Sequence, residues 1–411
     1  MDSSIPKDPV HLQGFMAQCV KPTNLSKFAP DSVHMLDSYA AHRNTLVEIA
    51  CKERSSGCYC GSEGARQSVE LKFGDFVDYY QATFRKQPHW LQTVDDLEFY
   101  LAQCPIAVLK PDATCTKASL PAIMDDFVLP TCLLDKPVTQ VNLWMTVQSG
   151  RTTLHYDAYQ NILVVLYGRK KVTLYPPSDT AKMYPFPVHT KSVVNHSQVN
   201  VVQPDLEKHV RFREATAQRF EVVAGDAIVI PEGWWHQVDS DDFTIAVNYW
   251  WDGVREQLVA DKRMIPYYAR VMLEELVKQQ CESRLLAMRS SPGVDNFEDE
   301  CSAAAAICAA NNQDSRERVL LSLDNCMLVK TQRFLAVNSP VEWRKLLVHA
   351  SVDLVGVLTK SWESGDLEPD FLGVVFGTFG VEEEVIKDQL AAKQTQFRQD
   401  CAAEMFRSMF G

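Results

Sequence analysis

Residues 225–236 read Gly-Asp-Ala-Ile-Val-Ile-Pro-Glu-Gly-Trp-Trp-His, and residues 152–157 read Thr-Thr-Leu-His-Tyr-Asp. The first stretch is a Gly-Asp turn, a short apolar strand, a Pro-Glu-Gly turn and a histidine, and another strand begins near Phe243. That order folds the chain back and is expected to deliver His236 across a barrel toward the earlier His-x-Asp pair. In an extended strand residues two apart share a face, so His155 and Asp157 are expected to point together at one ion. Two imidazoles and a carboxylate form the facial triad that holds non-heme Fe(II) and leaves positions open for a co-substrate and dioxygen. Structural, hydrogen-bonded histidines are the plain alternative for a His-x-Asp pair standing alone.

Around these stretches the pattern is β-rich from about 140 to 253. Short β-branched or aromatic runs at 141–147, 161–167, 171–175, 220–223, 227–230 and 243–250 are separated by Tyr-Gly-Arg-Lys, Tyr-Pro-Pro-Ser-Asp, Ala-Gly-Asp-Ala and Pro-Glu-Gly. This spacing predicts an all-β sandwich or barrel, with a jelly roll the natural candidate. Residues 30–90 mix helix-like stretches such as 32–41 with strand-like runs at 44–50 and 68–73. After Gly253 the periodicity turns helical over 254–280. Residues 282–318 are polar and compositionally biased, as in a linker or mobile loop. From 319 onward the pattern is helical; its apolar face (Trp343, Leu346, Leu347, Val352, Leu354, Val357, Leu358) suits a core or a homodimer surface.

Two histidines and a carboxylate also hold zinc in hydrolases, so the metal needs a further argument. It comes from Arg169-Lys-Lys-Val-Thr-Leu-Tyr175, where strand alternation places Lys170 with Val172 and Leu174 and turns it toward the apolar interior. A buried ammonium requires an anionic partner, and a bound dicarboxylate supplies one. An exposed turn lysine is the alternative. No clear general base accompanies the triad, which weighs against a hydrolase. Asn161 shares parity with His155 and Asp157, and Asn248 shares a face with the small residues Thr244 and Ala246. Each is either a pocket amide or a satisfied core amide.

Composition bounds the rest. The 411 residues are 46% hydrophobic and 10% aromatic, as in folded globular proteins, and carry a formal net charge of −12. That charge argues against nucleic-acid binding and suits basic protein or peptide partners, although acidity alone is also common in soluble proteins. The N-terminal residues have no signal-peptide core and no stretch reaches the length of a membrane span, so a nuclear or cytoplasmic location is expected. The 12 scattered cysteines read as reduced thiols. Cys51, Cys58 and Cys60 form a cluster without a nearby fourth ligand for structural zinc.

The ordered motifs Thr152-Thr-Leu-His-Tyr-Asp-Ala-Tyr-Gln-Asn-Ile, Gly168-Arg-Lys-Lys-Val-Thr-Leu-Tyr-Pro-Pro, Ser197-Gln-Val-Asn, Gly225 to His236 and Ala246-Val-Asn-Tyr-Trp together resemble a Jumonji-C oxygenase. The likeness is to the small cupin-like branch that includes the asparaginyl hydroxylase acting on hypoxia-inducible factor. It extends to the plant Jumonji-C-only proteins that carry the name lysine-specific demethylase. It covers roughly residues 15–253.

The resemblance implies an α+β protein with a double-stranded β-helix (jelly-roll, cupin-like) barrel flanked by helices, plus an all-helical C-terminal region. The chain then divides into 1–95, a mixed α/β part of the oxygenase unit; 96–253, the barrel; 254–281, a helix; 282–318, a linker; and 319–411, the helical region. His155, Asp157 and His236 match the iron ligands. Lys170 matches the lysine that pairs with the distal carboxylate of 2-oxoglutarate, and Thr152 a hydroxyl residue on the same carboxylate. Strict alternation from His155 would select Thr153 instead, so the match requires a local bulge. Tyr100, in Tyr-Leu-Ala-Gln, resembles a tyrosine that also reaches the co-substrate, and Asn161 and Asn248 match positions lining the pocket. The likeness departs at Thr146, where many relatives carry glycine.

For such enzymes the implied reaction consumes dioxygen and 2-oxoglutarate at Fe(II), releases CO2 and succinate, and oxidises a C–H bond of a protein substrate. Oxidation of an N-methyl group leads to demethylation, and oxidation of an ordinary side-chain carbon to stable hydroxylation. A barrel that has lost turnover and serves as a scaffold or binding protein is the alternative from another class.

Overall fold

From Val138 to Trp251 the chain crosses back and forth between two β-sheets. The computed structural model describes residues 6–22, 27–31, 39–53, 58–60, 67–94, 96–109, 118–190, 194–253, 259–289, 297–363, 367–368 and 370–411. The chain forms two units, Met1–Phe186 with Ser192–Ala269, and Pro187–Lys191 with Arg270–Gly411.

The strands of the first unit are β1 (Val10–Leu12), β2 (Leu46–Glu53), β3 (Cys58–Cys60), β4 (Gln67–Lys72), β5 (Leu97–Val108), β6 (Val138–Thr146) and β7 (Gly150–His155). They continue with β8 (Gln160–Tyr167), β9 (Arg169–Tyr175), β10 (Gln218–Val223), β11 (Ala227–Ile230), β12 (Trp235–Ser240) and β13 (Ile245–Trp251). An 8-stranded sheet has the order β1-β11-β8-β13-β6-β5-β2-β4, and a 5-stranded sheet the order β10-β9-β12-β7-β3. From β6 to β13 the chain changes sheet at every step except β9 to β10, which pair with each other in the second sheet, and this is the winding of a double-stranded β-helix. The α+β, cupin-like jelly roll expected from the sequence is borne out.

Burial on both faces explains why β8 and β13 are almost continuously apolar. Ile162, Val164 and Leu166, with Val247, Tyr249 and Trp251, face a large outer core. Leu163, Val165 and Ala246 face inward and meet Val172, Leu174 and Val222 of the other sheet, sealing one part of the space between the sheets. The turn from β8 to β9 is made by Gly168 at φ +78°, where an added Cβ would lie 2.7 Å from Thr244 Oγ1, so only glycine fits.

Helix α1 (Phe73–Phe84) covers the outer core with Phe73, Phe76, Val77 and Tyr80, at the i, i+3, i+4, i+7 spacing of a one-sided helix. The strand-like run expected at 68–73 therefore ends one residue early, at Lys72. Strand β5 was not expected, because Pro105 and Gln103, at φ 53°, interrupt its alternation; the register with β6 shifts at both places. The helix-like stretch at 32–41 lies largely outside the described residues, as do the side chains of Cys58 and Cys60; Cys51 is buried in the outer core.

Of the helix expected at 254–281, residues 254–258 lie outside the described residues, and α2 (Ile265–Arg289) occupies the later part and runs on into the supposed linker. That linker is corrected further by α3 (Glu300–Ala309) and α4 (Gln313–Ser322). Their caps are plain in the chain: Asp299 accepts from Ser302 N and Asn312 from Ser315 N, each at 2.8 Å. The alanine run of 303–306 looks low in complexity, yet alanine is the best helix former, and Ala303, Ala304 and Ile307 are buried. The remaining helices are α5 (Asn325–Asn338), α6 (Pro340–Val348), α7 (Val352–Ser361), α8 (Phe371–Gly377) and α9 (Glu383–Phe410). Trp343, Leu346, Leu347, Leu354, Val357 and Leu358 close a core within this unit.

Candidate metal centre

His155 is the last residue of β7 and His236 the second of β12, and the two are direct antiparallel partners. The third ligand position is therefore reached on the neighbouring strand and not from across the barrel as expected. Residues 235–240 carry no strand pattern in the sequence because Trp-Trp-His-Gln does not alternate. Asp157 also differs from expectation, lying beyond the end of β7. Its direction is set by a turn, in which Gly233 N donates to Asp157 O at 3.0 Å.

His155 Nε2 lies 3.9 Å from Asp157 Oδ1, and His236 Nε2 lies 3.6 Å from Asp157 Oδ2. Among the described residues this is the one group of three such side chains whose ligand atoms approach within 4.8 Å of one another. Each imidazole is oriented by its other nitrogen: Nδ1 of His155 meets Thr153 O at 2.7 Å, and Nδ1 of His236 meets Trp234 O at 2.9 Å. With Nδ1 protonated and donating, Nε2 presents its lone pair toward Asp157. Burial, reinforced by neighbouring His155, lowers the pKa of His236 to about 4, so it is neutral and able to ligate at physiological pH. The donor set fits a 2-His-1-carboxylate ion.

The register between β7 and β12 contains one extra residue on β7: His236 pairs with His155, but Val238 pairs with Thr152. The bulge brings Thr152 onto the face of His155 and His236. Thr153 meets His196 instead, Oγ1 to Nδ1 at 3.5 Å.

Lys170 lies farther along the same inward face, opposite Ser240, to whose hydroxyl its Nζ donates at 2.7 Å. It is 2% exposed, shares its face with buried Val172 and Leu174, and has no carboxylate among the described residues within ion-pair distance. Lys171 on the opposite face is exposed. Burial alone lowers the pKa of Lys170 from 10.5 to about 7. An ammonium so placed fits an anion within the barrel better than any protein group present.

On the facing sheet, Asn161 and Asn248 belong to a chain of buried amides. Asn248 Nδ2 donates to Asn161 Oδ1 at 3.1 Å, while Asn248 Oδ1 accepts from Asn142 Nδ2 at 3.2 Å and from Trp144 Nε1 at 2.7 Å. They are thus satisfied amides that also line the inner face. Tyr100 is buried beside Trp144, with ring centroids 6.1 Å apart. Thr146, where the resemblance implied a departure, uses its hydroxyl to hold the β12–β13 turn: Oγ1 accepts from Thr244 N at 3.1 Å.

Sequence reasoning missed His196, whose ring stacks on His155 at 5.1 Å and 18°. Its only signal was its position immediately before Ser197-Gln-Val-Asn.

A jelly roll carrying this group of two histidines and a carboxylate, able to hold a metal ion, defines the class of cupin-like proteins. The model of the family described as "Cupin-like domain" matches residues 7–257, and the chain belongs to that family, in its Jumonji-C branch. It is 34% identical over 255 residues to "Lysine-specific demethylase JMJ31" of Arabidopsis thaliana, covering 58% of this chain and 46% of that one. It is 28% identical over 250 residues to "Lysine-specific demethylase 8" of Danio rerio (60% and 53%), and 26% over 242 residues to "HSPB1-associated protein 1" of Mus musculus (54% and 49%). The chain spans about half the length of these curated relatives. No helix among the described residues is long and apolar enough to cross a membrane.

Proposed function

We propose that this protein is an Fe(II)- and 2-oxoglutarate-dependent dioxygenase that oxidises a protein side chain, as a hydroxylase or an N-methyl-lysine demethylase. The observation that carries this reading is the placement, on one inward sheet face, of the paired His155 and His236 beside Asp157 together with the buried Lys170, which no carboxylate among the described residues accompanies. Fe(II) with 2-oxoglutarate supplies the oxidising chemistry when dioxygen is bound.

The chain's own residues do the rest. His155, Asp157 and His236 hold the metal, and the carbonyls of Thr153 and Trp234 fix the imidazoles. Lys170, with Ser240 orienting its ammonium, binds the distal carboxylate. Thr152 and Tyr100 complete that end of the pocket. Asn161 and Asn248 hold the shape of the facing wall through their amide chain. The apolar contacts among Leu163, Val165, Val172, Leu174 and Ile230 keep water from the pocket's far side. The formal charge of −12 supports a basic protein or peptide segment as the substrate, and the relatives named lysine-specific demethylases support a methylated lysine within it.

Purified protein given Fe(II), ascorbate and 2-oxoglutarate is expected to release succinate, and His155→Ala to release none. A protein that only scaffolds partners would give no metal-dependent succinate, and a hydrolase would ignore 2-oxoglutarate. Mass spectrometry of candidate substrates then separates gain of an oxygen atom from loss of a methylene.

A further inference from the structure

The Pro231-Glu-Gly-Trp234 turn serves two of the ligand residues at once. Gly233 N holds the backbone of Asp157 at 3.0 Å, and Trp234 O accepts the Nδ1 proton of His236 at 2.9 Å. The turn in turn rests on Tyr267, near the start of α2. Gly233 has φ +75°, and a Cβ there would lie 2.8 Å from the Tyr267 ring, so the ring presses directly on the turn. The Tyr267 hydroxyl donates to Glu232 Oε1 at 2.9 Å, with both side chains buried. Burial, reinforced by Glu232, holds this phenol well above its usual pKa, so it remains a donor.

The same ring packs edge-on against Tyr156, between His155 and Asp157, at 5.3 Å and 86°. Tyr156 packs edge-on against Trp235, which precedes His236, at 4.9 Å and 82°. Tyr267 therefore touches both the turn that contacts Asp157 and His236 and the Tyr156 ring between His155 and Asp157. It lies beyond the cupin-like match, which ends at residue 257.

We infer that Tyr267 is a positioning residue for the metal centre, whose ring and hydroxyl hold the Pro231–Trp234 turn and thereby set Asp157 and His236 in ligating geometry. The inference rests on the triad being a metal site. Without Tyr267 the turn loses the ring packed on Gly233 and the hydroxyl bonded to Glu232, and both contacts to the ligand residues loosen.

The test measures Co(II) affinity and the Co(II) ligand-field spectrum of the full chain for wild type, Tyr267→Ala, Tyr267→Phe, His155→Ala and Val247→Ala. The last removes buried volume from the outer core away from the turn. Tyr267→Ala is expected to weaken Co(II) binding roughly 10- to 100-fold, as loss of a supporting group commonly does, and to alter the spectrum. Tyr267→Phe is expected to weaken it by roughly three- to tenfold, the worth of one hydrogen bond. Val247→Ala should lower the melting temperature and leave affinity and spectrum unchanged. Wild-type affinity in both Tyr267 variants, or an equal loss in Val247→Ala, overturns the inference. Should Tyr267→Ala fail to fold, Tyr267→Phe decides alone: a weakened affinity supports the role and an unchanged one overturns it. Wild-type affinity in His155→Ala would instead remove the metal-site reading, and the inference with it.

Discussion

His155 and His236 stand opposite each other on β7 and β12, and each turns its Nδ1 to the carbonyl oxygen two residues before it in the chain. The repeated local bond means that strand pairing brings the rings together while each strand orients its own ring. Both are expected to be Nδ1-protonated in the metal-free protein, the less common neutral tautomer in water. Long-range proton–nitrogen NMR of the imidazoles checks this, and an Nε2-protonated form at either residue would contradict it.

Lys170 carries a conflict between stability and binding. Its pKa is near 7 in the folded protein and near 10.5 when exposed, so the unfolded chain holds more protons between those values. Its burial is therefore most destabilising below pH 7, by on the order of 5 kcal/mol, and the penalty fades as pH rises toward 10.5. Lys170→Met is expected to melt higher than wild type without ligand, by a margin that shrinks from pH 6.5 to 9.5. Binding of 2-oxoglutarate should weaken in wild type as pH rises above 7, and be lost in the variant. Calorimetry over that range tests both.

Two glycines should answer oppositely to alanine. Gly168→Ala imposes φ +78° on a residue with a Cβ and drives that atom into Thr244, so a loss of about 1–3 kcal/mol is expected. Gly373 sits in α8 with nothing within 4 Å of an added Cβ, and Gly373→Ala should gain about 0.5–1 kcal/mol. Urea unfolding with a probe in each unit reads both signs.

Asn248→Leu removes the hub of the amide chain and leaves Asn142, Trp144 and Asn161 without that partner. A cost of about 2–4 kcal/mol is expected, because buried polar groups lose bonds and cannot regain water. A change below about 0.5 kcal/mol in chemical denaturation would show that the chain rearranges freely.

Much of the barrel was legible because its strands obey simple periodicities. The run 227–230 begins and ends where β11 does, and alternation along β9 sets Lys170 against Lys171. What escaped was where such rules break. Asp157 is aimed by a turn contact from Gly233, a relation between distant segments that no local pattern carries. Strand β5 hides behind Pro105, and β12 behind two tryptophans in succession. The supposed linker differs for another reason: its alanine bias resembles low complexity but favours helix, and capping residues precede α3 and α4. Tyr267 gave no signal, since its role exists only once α2 has returned to the Pro231–Trp234 turn.

The extra residue in β7 governs how this centre can be moved to another scaffold. Counting by twos from His155 arrives at Thr153, whose hydroxyl meets His196, whereas the hydroxyl aligned with the histidines belongs to Thr152. A designer transplanting the ligands into an ideal, evenly paired jelly roll would install the wrong threonine. The span from Thr152 to His155 has to travel as one piece, irregularity included.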